Sequence, residues 1–242
     1  MHQETFKRHI KNHREHWWFQ ARKEIIRILL KKNLKTKTNK LLDFGSGSGV
    51  NIDMLQEFGK IFVFEKDHQT YKVLKKNYKK NKNVKVLKSL NLINKFDVIL
   101  AADVIEHIED DKQIIKYLSK KLKKNGLLLI TVPAYNFLYS NKDKALKHYR
   151  RYSKFDLKKL IAPKFNISKI SYFNFFLFLP ISISIIFYKI LNLNFINSAE
   201  STPNFIINKI LYFIFKSEIL LLNKFNLPFG ISIVCIAKKN EN

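Results

Sequence analysis

Three glycines at every second position stand directly behind a short apolar run. They are Gly45, Gly47 and Gly49, in the stretch "LLDFGSGSGV". A strand, a glycine-rich turn and a helix start together bring unpaired backbone N–H groups and the positive end of a helix dipole to one place. A tight turn alone would need one glycine, so three of them predict the close approach of a ligand. Glu65, at the end of the next strand-like run "IFVFE", can accept hydrogen bonds from both hydroxyls of a ribose.

The spacing of these glycines narrows the kind of nucleotide. A dinucleotide fingerprint separates its last two glycines by two residues, whereas a single residue separates each pair here. No Gly-Lys-Ser/Thr sequence follows, so the stretch is not a phosphate-binding P-loop. Asp43, just before the turn, would repel a phosphate and suits a ligand with an ammonium or sulfonium group. The stretch therefore indicates a nucleoside ligand that carries a positive charge.

Short apolar runs alternate with helical patterns between residues 41 and 132. This alternation is typical of an α/β fold, with a parallel sheet and helices on both faces. Upstream, "HWWFQARKEIIRILLKK" has the pattern of one helix, and downstream "FNISKISYF" and "GISIVCIAKK" are candidate strands on either side of an aromatic helical insertion. We predict a single domain, 1–242, made of an N-terminal helical segment (1–38), a cofactor-binding core (39–165), and the last strands (166–242) with the insertion at about 175–228.

Two stretches resemble the class I S-adenosylmethionine-dependent methyltransferases. "LLDFGSGSG" is similar to their first motif, and "FDVILAADVIEHIEDD" is similar to their fourth-strand motif. Likeness to a largely uncharacterised bacterial subgroup extends over "EHWWFQARKEII", "GLLLITVPAYNFLYSNKDKALKHYRRYS", "SYFNFFLF" and "LPFGISIVCIAKK". The resemblance implies a Rossmann-like, seven-stranded, mostly parallel sheet, S-adenosylmethionine as the cofactor and methyl transfer as the activity. It says almost nothing about the acceptor.

The resemblance also implies where the cofactor contacts lie. Along the methionine part of the cofactor it places Gly45, Ser46 and Gly47, with Asp43 near the ammonium and Gly49 closing the turn. At the ribose and adenine it places Glu65, Lys66, Ser89 and Leu90, and beneath the sulfonium Ala102 and Asp103. Ser89 departs from the acid often found at its position, which puts a contact from its side chain to the adenine amine in doubt. Asp103 has an alternative role as the N-cap of a helix over "VIEHI".

Methyl transfer from a sulfonium needs the protein mainly for proximity and the exclusion of water. A base is required only where the acceptor must lose a proton. His107, in "IEHIED", follows the fourth strand and is the candidate base; alternatively it is a structural histidine that holds a loop through Glu106 or Glu109. These groups could also suggest a metal, but a second histidine at ligand spacing is missing, so we expect no metal.

A polar segment, "NKDKALKHYRRY" at residues 141–152, follows the predicted fifth strand. In open α/β sheets that edge faces the ligand crevice. Arginine is scarce in the chain, with 6 arginines against 39 lysines, yet Arg150 and Arg151 are adjacent here. We interpret the segment as an acceptor-recognition loop for an anionic group such as phosphate or carboxylate. Its candidate catalytic residues are Asp143, His148, Arg151 and Tyr152. The alternative is a salt-bridged loop that joins strand to helix.

The predicted N-terminal helix carries two further candidates. Trp17, Trp18 and Phe19 form either a hydrophobic lid or platform at the site, or part of the core. Arg22, one turn later, is a candidate ligand for the cofactor carboxylate.

The aromatic insertion bears on the acceptor. Nineteen uncharged residues run from 170 to 188, close to the length of a membrane span, but three serines and Pro180 weaken a spanning helix and the first part is needed as the sixth strand. The later stretch "FIINKILYFIFKSEILLLNKF" is amphipathic, with lysines among the apolar residues. Such a helix lies in a bilayer interface or covers a lipidic pocket, and the alternative is a helical cap on the sheet edge. We favour a lipid-facing surface.

The net charge of +26 indicates either an anionic partner, nucleic acid or a membrane surface, or a lysine-rich composition imposed by an A+T-rich genome. The scattered lysines and scarce arginines favour the second explanation for most of the charge. The single Cys235 excludes an internal disulfide, and the polar start does not resemble a signal peptide. We therefore expect a cytoplasmic protein, with peripheral attachment to the inner face of the membrane left open.

Three functions remain after this comparison of motifs. The first is a methyltransferase acting on a small-molecule or lipid-linked acceptor. The second is an RNA methyltransferase, which the net positive charge favours. Against it, no Asn-Pro-Pro-Tyr motif, which would bind a target base, follows the fourth strand. The third is a non-catalytic cofactor-binding protein. The presence of an intact Asp43, glycine turn and Glu65 argues against it. The sequence leaves the oligomeric state unassigned.

Overall fold

A seven-stranded sheet forms the centre of the fold in the computed structural model, which describes residues 15–34, 39–90, 95–191 and 202–240. The strands are β1 (Asn39–Phe44), β2 (Gly59–Phe64), β3 (Val84–Leu87), β4 (Phe96–Ala102), β5 (Leu122–Pro133), β6 (Phe165–Phe173) and β7 (Ser232–Lys239). The α-helices of the described residues are α1 (Trp17–Asn33), α2 (Ile52–Leu55), α3 (His68–Asn77), α4 (Asp111–Lys121), α5 (Asn141–Ala145), α6 (Lys154–Ile161), α7 (Phe178–Ile190), α8 (Phe205–Ser217) and α9 (Ile219–Lys224). Single 3₁₀ turns lie at Ile105–His107 and Asn136–Leu138.

The strand order is β3-β2-β1-β4-β5-β7-β6, and only the pairs that involve β7 are antiparallel. The chain leaves β3 on one side of β1 and returns to form β4 on the other side, so the strand order reverses between β1 and β4. Ligands of open α/β sheets bind outside the carboxyl ends of the strands at such a reversal. The predicted α/β, Rossmann-like, mostly parallel sheet is confirmed, as are its N-terminal helix and C-terminal helical region.

Alternate strand residues face two apolar layers. Leu41 and Leu129 point into the layer formed with α1, α2 and α8, whereas Leu42 and Ile130 point into the layer formed with α4 and α6. Strands buried on both faces read as continuous apolar runs, which is why "FDVILAA" carries no polar alternation. Helices therefore cover both faces and leave the carboxyl edge of the sheet for the site.

Several predicted helices differ in extent from the structure. The helical pattern that follows the glycine turn forms only the single turn α2, and Gly59 begins β2. The stretch "VIEHI" forms a 3₁₀ turn at Ile105–His107. The amphipathic C-terminal stretch is divided at Glu218 into α8 and α9. The ends of these helices are set by short connections between packed elements, and the local sequence pattern does not predict them.

The aromatic insertion folds back on the N-terminal helix. The ring of Phe215 in α8 lies 5.1 Å from that of Trp18, between centroids. The buried carboxylate of Glu218 accepts hydrogen bonds from the backbone N–H groups of Asn174 and Phe175 at 2.5 and 2.6 Å, which ties the helices to the end of β6. Among the described residues, no helix is long and apolar enough to cross a membrane.

Candidate active site

The glycine turn after β1 needs its glycines for two different reasons. All three have positive φ, a conformation that other residues adopt at a cost. A Cβ on Gly45 would lie 2.7 Å from the side chain of Val104, and one on Gly49 would lie 2.8 Å from Leu74, so both positions are closed by packing. A Cβ on Gly47 would have no atom within 4 Å. The turn is therefore packed at its ends and open in the middle, where a ligand has room.

Glu65 lies across this opening. Its carboxylate accepts hydrogen bonds from the backbone N–H of Gly47 at 2.8 Å and of Asp67 at 2.9 Å. The glycine turn is thus in direct contact with Glu65, the residue predicted to bind the ribose. Lys66 beside it is exposed.

The end of β3 brings the two predicted adenine neighbours to the same edge of the sheet. Ser89 is exposed, whereas the side chain of Leu90 is buried in the layer of α4. The side chain of Leu90 therefore belongs to the core, and only its backbone is left for the predicted contact with adenine.

A buried ionic cluster lies beneath the turn. Asp43 is 1% exposed, and its Oδ2 has no hydrogen-bond partner. Burial raises the pKa of Asp43 to about 7, although Arg22 opposes the shift. Arg22, from α1, is itself buried and forms an ion pair with Asp103. Burial lowers the pKa of Arg22 to about 10, so it stays charged at neutral pH.

Two side chains, those of Thr131 and Arg22, hold Asp103 at the end of β4. Its Oδ1 accepts a hydrogen bond from the hydroxyl of Thr131 at 2.7 Å, and its Oδ2 pairs with Arg22. The following 3₁₀ turn has Val104 as its N-cap and no capping side chain. The alternative role of Asp103 as a helix cap is therefore wrong. Ala102 precedes it, half-buried against the layer of α1.

These side chains fit the groups of an amino-acid moiety. Buried polar atoms without a partner lie on Asp43 (Oδ2), on Arg22 (Nε) and on Asn51 (Oδ1). A carboxylate suits an ammonium and a guanidinium suits a carboxylate, and the α-carbon of the methionine part of S-adenosylmethionine carries one group of each kind. Asn51 was not among the predicted site residues. Its position two residues after the last glycine of the turn, at the N-cap of α2, is the feature of the sequence that could have indicated it.

The polar loop at 141–152 is organised around a buried ion pair. Asp143 accepts two hydrogen bonds from Arg151, from Nε to Oδ1 and from Nη2 to Oδ2, both at 2.9 Å. The third nitrogen of Arg151 contacts the carbonyl of Ala134 at 3.4 Å. Arg150 pairs with Asp111 at 2.7 Å. Both arginines are engaged within the protein, which favours the salt-bridged alternative, whereas acceptor recognition by Arg151 stays a prediction.

Asp143 and Tyr152 are also structural in their contacts. Asp143 is almost fully buried, and the hydrogen bonds from His148 and Arg151 hold its pKa well below the ordinary value despite its burial. The hydroxyl of Tyr152 donates to Asp111 at 2.9 Å, and burial raises its pKa well above the ordinary value. A buried, hydrogen-bonded phenol fits a structural role, and the catalytic role predicted for Tyr152 stays a prediction.

The loop brings His148 against His107. Their ring centroids are 4.5 Å apart, and the backbone N–H of Tyr149 donates to the carbonyl of Glu106 at 2.8 Å, which fixes the loop to the 3₁₀ turn. Burial and the neighbouring His148 lower the pKa of His107, while hydrogen bonds to the backbone of Leu146 and Lys147 oppose the shift. His107 is therefore mostly neutral near pH 7.

Glu106 does not hold His107. It is fully buried, and both carboxylate oxygens have no hydrogen-bond partner. One ligand atom from each of Glu106, His107 and His148 lies within 4.8 Å of the others. The reason given for expecting no metal, a missing second histidine, is therefore wrong, because histidines far apart in sequence meet in space.

The aromatic residues of α1 divide between core and site. Trp17 and Trp18 pack against Phe215, and Trp18 also stacks on Phe173, as the core alternative predicts. Phe19 instead lies with its ring 5.3 Å from the guanidinium carbon of Arg22. The tryptophans thus fix α1 on the sheet, and Phe19 supports the arginine of the ionic cluster.

Comparison with known proteins relates the chain to a protein family. The family model described as "Methyltransferase domain" matches residues 12–168, more than half of the chain. A ubiquinone biosynthesis O-methyltransferase of Pelagibacter ubique is 37% identical over 100 residues, which cover 39% of this chain and 42% of the relative. A probable cobalt-precorrin-6B C(15)-methyltransferase of Sulfolobus acidocaldarius is 31% identical over 117 residues, which cover 45% of this chain and 61% of the relative. The matched region thus spans about half the length of these curated relatives.

Solved structures share the fold at low identity. The N-methyltransferase NodS of Bradyrhizobium japonicum is 10% identical with a TM-score of 0.55, over 93% of this chain and 97% of that one. The phosphoethanolamine N-methyltransferase 2 of Haemonchus contortus, solved with S-adenosylhomocysteine, is 16% identical with a TM-score of 0.56, over 89% of this chain and 52% of that one. Fold, glycine turn and family match agree: the chain belongs to the methyltransferase family and has the class I fold.

Proposed function

We propose that the chain methylates a small apolar or lipid-linked acceptor that it reaches from a membrane surface. The observation that carries this proposal is a row of exposed apolar side chains on the helices beside the site. Along α7 they recur at helical spacing, as Leu179, Ile183, Phe187 and Ile190. Exposed apolar patches of this extent mark interaction surfaces for proteins, ligands or membranes.

The cofactor would be held by the side chains and backbone around the glycine turn. In this proposal Asp43 and the Oδ1 of Asn51 face the ammonium, Arg22 faces the carboxylate, and Glu65 accepts from the ribose hydroxyls in place of the N–H of Gly47. S-adenosylmethionine supplies, when bound, an electrophilic methyl group on a sulfonium. The chain contributes position and exclusion of water, the two requirements of a displacement whose leaving group is already activated.

The acceptor side would lie between the 3₁₀ turn at Ile105–His107, the loop at 141–152 and α7. The loop is joined to α7 through the second 3₁₀ turn, since Lys189 donates to the carbonyl of Phe137 at 3.3 Å and Leu138 packs on Ile185. The side of α7 that carries Ile185 is therefore connected to the segment that leads into this loop. In this proposal the apolar tail of an acceptor extends from the imidazoles toward the exposed residues of α7.

The helices beside α7 add area and charge to this surface. Phe205, Ile206, Ile210 and Phe213 of α8 and Leu220 of α9 are exposed, and Lys189, Lys209 and Lys224 are exposed among them. Apolar side chains with lysines between them are the pattern of a helix that lies in a membrane interface. The acceptor of the Pelagibacter relative, named for ubiquinone biosynthesis, supports the choice of a lipid-soluble acceptor class.

RNA remains the competing acceptor because the net charge is +26. The two arginines that were candidates for reading an anionic group are both engaged in ion pairs within the protein. The apolar surface has no use in binding a polyanion. These two observations favour the lipid-linked acceptor.

The test is release of S-adenosylhomocysteine with three acceptors. They are a prenylated catechol in anionic vesicles, catechol without the tail, and bulk transfer RNA. We expect turnover with the prenylated compound at a kcat/KM at least about tenfold above that of free catechol, since several buried methylenes each contribute about 0.8 kcal/mol. Turnover with transfer RNA alone would overturn the proposal.

A further inference from the structure

Glu106 poses an electrostatic problem that the methyltransferase fold does not explain. Its side chain is fully buried and neither oxygen has a hydrogen-bond partner. Arg22 and Arg151 act on it electrostatically, but they are paired with Asp103 and Asp143 respectively. An isolated buried carboxylate is costly unless it is neutralised or binds a cation. Glu106 is the one member of this ionic group without a partner of its own among the described residues.

Two imidazoles lie where a cation bound to Glu106 would find further ligands. One ligand atom from each of Glu106, His107 and His148 lies within 4.8 Å of the others, and the two rings stand at 80° with centroids 4.5 Å apart. His107 is exposed and His148 is half-buried, so the group is open on one side. A site buried at the carboxylate and open at a histidine leaves room for an exchangeable ligand.

Both histidines also have the second contact that metal-binding histidines have. The Nδ1 of His148 lies 2.9 Å from Oδ1 of Asp143, which Arg151 and Ser140 hold in place. Backbone groups of Leu146 and Lys147 act on the ring of His107 and oppose the lowering of its pKa by burial. Metal-ligating imidazoles nearly always donate their other N–H to a carboxylate or carbonyl, which sets the tautomer and the direction of the free nitrogen. The loop therefore orients both rings as ligands require.

We propose that Glu106, His107 and His148 bind a divalent transition-metal ion such as zinc, with the remaining coordination positions open to an oxygen of the acceptor. Two imidazoles and one carboxylate are a ligand set that proteins use for catalytic zinc and for other first-row metals, and they leave open positions. Magnesium is a poorer fit, because it prefers oxygen ligands throughout.

The use of this metal rests on the proposed function, whereas its binding does not. A bound cation lowers the pKa of a hydroxyl that coordinates it, so the acceptor proton passes to water without a protein base. Such a site selects an acceptor hydroxyl with a second oxygen close by, as in a catechol. The two histidines are then ligands, and His107 is not the general base.

Zinc binding to the full-length protein, freed of metal by chelation, tests the site by calorimetry. We expect binding of one zinc ion that Glu106→Gln and His148→Ala each weaken at least about a hundredfold. His68→Ala is the matched control, since His68 is an exposed imidazole at the start of α3, away from the site. His2, His9 and His13 lie outside the described residues, so the loss specific to each variant identifies the site, and total zinc bound does not.

Cobalt gives an independent readout. Co²⁺ bound by two imidazoles and a carboxylate should show visible absorption that disappears in His148→Ala and persists in His68→Ala. Melting of each variant without metal shows whether the fold is kept, and Glu106→Gln should melt no lower than the native chain, because it removes a buried charge. Equal zinc affinity in the native chain, Glu106→Gln and His148→Ala, or no zinc binding, would overturn the proposal.

The role of the metal is separated from the choice of acceptor by a second measurement. Affinity for catechol, without cofactor or turnover, should rise at least about tenfold when zinc is present, and this gain should be absent in His148→Ala. Zinc binding without that gain would refute the acceptor role and leave the metal site standing. Failure of the prenylated acceptor to turn over would bear on the proposed function alone.

Discussion

At the scale of single residues, the site depends on charges that the protein keeps without full compensation. Asp43 is buried with a free oxygen, and Arg22 is buried with a free Nε. Leaving buried charges incompletely paired destabilises the empty protein. The same free atoms are what a zwitterionic amino-acid group would satisfy. These side chains are therefore preorganised for a ligand at a cost to stability.

Glu65 carries the first prediction. Replacing it by alanine should weaken S-adenosylhomocysteine binding by about 1–3 kcal/mol, the scale of a charge-assisted hydrogen bond. Glu65→Gln keeps one acceptor oxygen and should lose less. Calorimetry on both variants, with Glu57→Ala as an exposed carboxylate control, measures the difference. Unchanged affinity in Glu65→Ala would contradict the ribose assignment.

Asp43 predicts how cofactor binding depends on pH. Burial raises its pKa to about 7 in the empty protein, and the charged groups that face it are Arg22 of α1 and Glu65 after β2. The ligand's ammonium favours the carboxylate, so binding releases a proton below pH 7. Affinity for S-adenosylhomocysteine should therefore rise from pH 6 to pH 7 and level off above it, with binding at pH 6 about tenfold weaker than at pH 8.

The Asp43→Asn variant isolates that titration. It should bind more weakly at every pH and should lose most of the tenfold change, because the amide does not titrate. Calorimetry at several pH values in buffers of different ionisation enthalpy would also count the proton released. A pH profile that is the same in Asp43→Asn would assign the dependence to another group.

At the scale of elements, the loop at 141–152 is a rigid arm. Asp143 and Arg151 are buried together, and the pair sets the position of His148. Arg151→Ala leaves the buried carboxylate of Asp143 without its arginine, with only the hydrogen bonds from Ser140 and His148, so it should lower the free energy of unfolding by about 3–5 kcal/mol. His148→Ala removes a half-buried ring without stranding a charge and should cost less than about 2 kcal/mol.

Urea unfolding of the two variants checks this difference in stability. Cofactor binding should persist in both where the fold persists, because the loop does not contact the glycine turn through any described hydrogen bond. An Arg151→Ala variant as stable as the native chain would return the arginine to the list of acceptor ligands.

The sequence predicted the strands and the glycine turn better than it predicted the contacts between distant side chains. Strand runs such as "FDVILAA", the glycine turn and the acid after β2 are local patterns, and they predicted the sheet and the cofactor edge correctly. The approach of His148 to His107 depends on the fold of β5 and its loop, which no local spacing reports. The pairing of Arg151 with Asp143 was foreseen only as an alternative, because scarcity of arginine says nothing about where its partner lies.

At the scale of the whole molecule, exposed apolar residues and exposed lysines occur together on the C-terminal helices. The exposed face of α7, α8 and α9 carries apolar residues with lysines among them, and the chain has a net charge of +26. Peripheral membrane attachment generally needs two signals, apolar insertion and attraction to anionic lipid. Neither is strong here, since no described helix is long and apolar enough to span a bilayer and the lysines are scattered. We therefore expect reversible attachment.

Vesicle flotation tests this attachment with a matched pair of variants. Ile190, on α7, is 75% exposed, and Phe155, on α6 in the other helical layer, is 73% exposed. Ile190→Glu places a charge in the proposed contact, whereas Phe155→Glu makes the same change away from it. The native chain and Phe155→Glu should float with anionic vesicles and much less with neutral ones, because each lysine near the surface contributes roughly 1 kcal/mol. Ile190→Glu should float several-fold less.

Salt and RNA complete the experiment. Flotation should weaken as salt rises, because screening shortens the reach of surface charges. Added RNA should compete only as a bulk polyanion, with no difference between Ile190→Glu and Phe155→Glu in RNA binding. Flotation that ignores lipid charge and salt, or equal flotation of the two variants, would contradict attachment through α7. Absence of flotation together with tight, salt-sensitive RNA binding would assign the charge to nucleic acid, since the lysines would then have a polyanionic partner and the apolar face none in the membrane.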